Sequence, residues 1–180
     1  MIVIAASSLC LNANLSLATF YRTRIRRGWD LVVPRFTAVA ALSLAAYVLG
    51  VVAAGYETAV LFGASDWVPL LAHSGYMALF MIFMVALVAV LSAFARGILA
   101  TVGIALALVI AVFPLLGVMP AVEAWLPTAL PDSVKPLLTH AVGIAHYWRP
   151  ALVAVGLSCV FLTVAVFRQR PLQSARPVKQ

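Results

Sequence analysis

The chain has 180 residues, of which 65% are hydrophobic and 9% charged, with a net charge of +7 and a mean hydropathy of +1.11. A soluble domain of this size needs far more polar cover, ordinarily about a quarter charged residues, so the composition excludes one. The positive excess is not a nucleic-acid footprint either, because no basic module interleaved with aromatic residues is present to hold one.

Charged residues divide the chain into uncharged runs at 1–21, 36–56, 74–95, 97–122 and 150–167. Each has about 18 residues or more, and roughly 20 helical residues at ~1.5 Å each cross a hydrocarbon core of about 30 Å. The expected spans lie near 1–18, 36–60, 74–95, 98–117 and 150–167. The fold expectation is all-α: one polytopic membrane domain over 1–180 with about five transmembrane helices, an interfacial cytoplasmic helix and short extracellular helices.

Span one is interrupted by Ser7, Ser8, Asn12 and Asn14. It has neither the leading positive region nor the small-x-small site of a signal peptide. An outside N-terminus with no preceding span implies an upstream segment.

The stretch 20–35 has its own pattern. Tyr21, Ile25, Trp29, Val32 and Phe36 share one helical face; Arg24, Arg27, Asp30 and Arg35 fall mostly elsewhere, and Arg26–Asp30 is an i,i+4 pair. This predicts an amphipathic cytoplasmic helix closed by Pro34. It either anchors the topology alone or docks a cytosolic protein.

In span two, Ala46, Gly50 and Ala54 recur every four residues and form a candidate helix-packing seam. Glu57 follows near the outer end, as a headgroup-level carboxylate or part of a polar path. Span three places Met77, Met81 and Met84 on one face. Such a stripe either walls a path for varied apolar substrates or packs against lipid and neighbouring helices. In span four, Phe113-Pro114 marks its outer end or a kink.

Four prolines (Pro120, Pro127, Pro131 and Pro136) cut 119–148 into short pieces, with Trp125, Tyr147 and Trp148 as interface anchors. Two short helices are expected there, one capped by Asp132 and running through Leu137, Leu138 and Val142. A basic tail, 168–180, ends the chain.

Arg22, Arg24, Arg26, Arg27, Arg35, Arg96, Arg168, Arg170, Arg176 and Lys179 all fall on one side of a five-span chain, with Asp30 as the acid among them. Lys/Arg bias marks the cytoplasmic face, so the N-terminus is expected outside and the C-terminus inside a cell membrane. No phosphate-binding loop surrounds Lys135 or Lys179. His73, His140 and His146 fall at the outer boundary; Cys10 and Cys159 lie in separate spans as packing residues. No metal site, cofactor or catalytic set is expected, and no Ser/His/Asp or Cys/His set in one membrane layer.

Asn14-Leu15-Ser16-Leu17, followed by Arg24-Ile25-Arg26-Arg27 and Arg35, resembles the pattern of ABC-2 type permeases, the membrane subunits of one class of ATP-binding-cassette transporter. That pattern runs small residue–Leu, then Pro-x-Ser-Arg, then a basic residue. The resemblance covers roughly 12–170. Asn14-Leu15-Ser16 replaces the family's acidic-Gly-Thr part, the proline of the second part is missing, and so is the first span with its cytoplasmic helix. The resemblance implies that the five spans are the family's second to sixth. It also implies pairing with a second permease subunit, as homo- or heterodimer, and with cytosolic ATPase subunits that hydrolyse the ATP. Arg24, Arg26, Arg27, Trp29 and Asp30 would form the ATPase-docking helix, and the cargo would be a drug-like or lipid-like compound moved outward. The rival reading is a non-transporting anchor or assembly subunit; a small enzyme of lipid metabolism ranks below both.

Overall fold

The computed structural model describes residues 2–9, 29–63, 67–95, 97–119, 122, 125–139 and 141–168. All their regular structure is helical: α1 (Ile2–Leu9), α2 (Trp29–Phe62), α3 (Trp67–Phe94), α4 (Ile98–Gly117), a connector containing α5 (Val134–Leu138), and α6 (Trp148–Arg168). Among the described residues four helices are long and apolar enough to cross a membrane: Val32–Leu61, Trp67–Phe94, Ile98–Gly117 and Ile144–Arg168. The polar hydroxyls on them turn back to their own backbone: Thr58 Oγ1 donates to the Ala54 carbonyl, Ser92 to Ala89 and Ser158 to Ala154. In hydrocarbon no water is available, so a hydroxyl is satisfied by the carbonyl three or four residues back.

Helix α3 is the centre, packed against α6 most extensively and against α1, α2, α4 and α5. Every residue from Phe83 to Val90 on it is buried. Phe83 anchors an aromatic cluster, with ring centroids 6.2 Å from Phe80, 6.1 Å from Phe113 on α4 and 5.9 Å from Phe161 on α6. A second cluster joins Ala5, Ala6 and Leu9 of α1 to Val39, Val85, Val88, Ala89 and Ala105. The eight described residues of α1 cover only about 12 Å, and the rest of the expected span 1–18 lies outside the described residues.

Contacts fix which helix ends lie together. Val32 near the start of α2 packs with Ala165 and Val166 near the end of α6, and the Arg168 guanidinium lies 5.5 Å from the Phe94 ring centroid. The start of α2 and the ends of α3 and α6 thus share one end of the bundle. At the other end Gly55 is buried against the Trp67 ring, where an added Cβ would come within 3.2 Å. Gly63 terminates α2 with φ +80°, a left-handed conformation that glycine adopts without a Cβ clash, and its N–H bonds the Ala59 carbonyl. The connector returns the chain from α4 to α6 at this same end.

Several expectations are corrected. Pro34 does not close a helix: α2 runs through it from Trp29, and Thr37 Oγ1 donates to the Pro34 carbonyl. Pro114 does not end α4 either. A wide turn over Leu108–Val112 precedes it, with the Phe113 N–H bonded five residues back to Leu108, while the helix continues to Gly117. A π turn is one way for a helix to absorb a missing donor. Asp132 caps nothing: it is exposed, α5 follows Ser133 without a side-chain cap, and α5 stops at Leu138, short of Val142. Cys159 is exposed on α6 rather than packed.

Candidate functional site

The most developed polar arrangement sits where the connector meets the start of α3. Ser133 is fully buried between the turn Pro131–Ser133 and α5, and its hydroxyl donates to the Leu130 carbonyl at 2.7 Å. His73 Nδ1 lies 2.9 Å from the same oxygen. A hydroxyl has one proton, so with it on the Leu130 carbonyl His73 is the donor to the Ser133 oxygen, through Nδ1–H. One turn further along α3, the Tyr76 hydroxyl donates to the Ile144 carbonyl, and its ring stacks at a tilt with Tyr147, centroids 5.6 Å apart. Beneath these bonds Leu130, Leu137 and Tyr147 are buried against Phe83, Met84 and Leu87. The connector is therefore fastened to the central helix by both polar and apolar contacts.

A serine and a histidine thus meet at this end of the bundle, as a pair rather than as the Ser/His/Asp set weighed from sequence. Nothing local announces the pair, because its members are 60 residues apart. The Ser133 hydroxyl lies between the Leu130 carbonyl and His73 Nδ1 and has no exposed surface. The pair works as a clasp.

The residues singled out from sequence are scattered. Arg24, Arg26 and Arg27 lie outside the described residues, as do Asn14-Leu15-Ser16-Leu17, Arg96, His140, Cys10 and the tail beyond Arg168. Trp29 and Asp30 are exposed at the start of α2; Val32 and Phe36 hold that end of the helix inward instead. Of the methionine stripe, Met84 is buried in the aromatic core while Met77 and Met81 are half-buried. An open depression lies elsewhere, on the connector, lined by Pro131, Asp132, Val134, Lys135, Pro136 and Thr139 among others. Glu57 is exposed near the connector end of α2. Ala46, Gly50 and Ala54 are also exposed, and nothing lies within 4 Å of a Cβ built on Gly50. The small-residue seam packs against nothing within the described part of this chain.

These features define an all-helical chain with four helices suited to crossing a membrane, a clasped connector at one end and arginines at the other. No protein family, curated protein or solved structure matches it.

Proposed function

We propose that the protein is the transmembrane permease subunit of an ATP-binding-cassette exporter, moving a drug-like or lipid-like compound with energy from a separate ATPase. It is a multi-pass cell-membrane protein whose Arg168 end faces the cytoplasm and whose connector faces outward. The observation that carries the reading is the state of α2. Its most apolar stretch is only 6% buried, the least of the four spans, at a hydropathy of 2.1 against 2.4 to 2.7 for the others, and its small-residue seam is open. A helix attached mainly along one stripe, with small residues turned outward, is suited to close packing against a second permease subunit. Directly before it in the chain come Arg22, Arg24, Arg26 and Arg27, a charge cluster suited to acidic residues of a cytosolic ATPase.

A second reading, a non-transporting membrane anchor, draws support from the aromatic core around Phe83, which takes in Met84 of the methionine stripe. Co-purification separates the two. Arg27→Glu together with Arg24→Glu leaves insertion intact and weakens capture of the partner ATPase, with loss of ATP-dependent transport in vesicles. Unchanged capture and transport in correctly inserted protein would remove the docking role.

A further inference from the structure

The connector end holds a second, separate constellation. The guanidinium carbon of Arg149, second residue of α6, lies 5.4 Å from the centroid of the Trp125 ring and 5.6 Å from that of Trp148. Trp125 belongs to the connector, so the grouping is made by tertiary structure. Both rings are about half exposed, at 47% and 52%. Aromatic side chains of this kind, with an apolar body and one polar N–H, settle at headgroup depth where a span leaves the hydrocarbon.

We propose that Arg149, positioned by Trp125 and Trp148, binds the phosphodiester of an anionic phospholipid in the leaflet at the connector end. Cation–π attraction to a ring does not consume the N–H donors of a guanidinium, and those donors match two phosphate oxygens. An arginine held near two indole faces is kept in one region of the helix end. Among the described residues no carboxylate forms an ion pair with Arg149. Its charge also sits in the first turn of a 21-residue helix, where the dipole opposes a cation, so a bound anion relieves that conflict. The connector further carries Lys135 and Asp132, both exposed. A headgroup with its own ammonium gains less from the Arg149 guanidinium than a net-negative one does. The inference stands whether or not the chain is a permease.

The test is native mass spectrometry of the purified full-length chain, titrated separately with phosphatidylglycerol and phosphatidylcholine. Phosphatidylglycerol should fill a saturable site that excess inorganic phosphate does not empty. Arg149→Gln should weaken that site about fivefold to tenfold, the loss expected for a charge-assisted hydrogen-bonded pair. Arg149→Lys keeps the charge but loses the fork and should fall between; Trp125→Leu should weaken binding while leaving the arginine in place. Helix content by circular dichroism identifies any variant that misfolds, and the remaining substitutions then carry the comparison. Wild-type affinity in folded Arg149→Gln, equal affinity for phosphatidylcholine, or displacement by inorganic phosphate would each overturn the assignment.

Discussion

Phe83→Ala is the sharpest probe of how this bundle is held together. Phe83 has no exposed surface and touches three other phenylalanine rings, two of them on α4 and α6. In a water-soluble core the substitution would cost about 3–5 kcal/mol, part transfer from water and part cavity. Between membrane helices the transfer part is small, because a separated helix leaves the ring in lipid rather than in water. The cavity part remains: on the order of 100 Å³ at about 24 cal/mol per Å³ is roughly 2 kcal/mol. Lost ring–ring contacts raise this to about 2–4 kcal/mol. The matched control is Leu99→Ala on α4, a helix of the same hydropathy, 2.7; Leu99 is 88% exposed and its truncation should cost less than about 0.5 kcal/mol. The assay is unfolding by dodecyl sulfate in mixed micelles, followed by circular dichroism. Equal destabilisation by the two substitutions would refute the reasoning, since it would mean that apolar bulk rather than packing sets the stability.

Ser133→Ala and His73→Ala should show a coupling of about 0.6 kcal/mol in a double-mutant cycle of the same unfolding measurement, the usual size for a side-chain hydrogen bond between membrane helices; additive effects would mean that the clasp is not formed. Gly50→Leu should leave the helix content of the single chain unchanged, since its site is open, but weaken self-association about tenfold by energy transfer between labelled copies in vesicles. Unchanged self-association would argue against that seam, or for an unlike partner. Single cysteines at 27, 96 and 176, in a background lacking Cys10 and Cys159, should react from the cytoplasmic side and those at 66 and 135 from the other; labelling of 27 and 176 on opposite faces would end the topology.

The membrane character of this chain was legible because it depends on quantities that add along the sequence. Length between charges and apolar content located the helices at 67–94, 98–117 and 148–168 to within a few residues, apart from the seven-residue difference at the start of the first. Pro34 misled because a proline's effect depends on how many helical turns already surround it. The interior of the bundle was not legible. Helices α3 and α4 have the same hydropathy, 2.7, yet one is 44% buried and the other 11%. In water, apolar character marks the inside; in lipid both environments are apolar, so the solvent no longer sorts residues and only shape and pairing do. That is why residue type alone did not choose between the two readings of the methionine stripe, of which Met84 is core, and why the Ala46–Gly50–Ala54 stripe is open. The clasp of His73 and Ser133 and the grouping of Arg149 with Trp125 needed the connector folded back onto α3 and α6. Such pairings join distant segments and leave no periodic trace; the tertiary structure decided them.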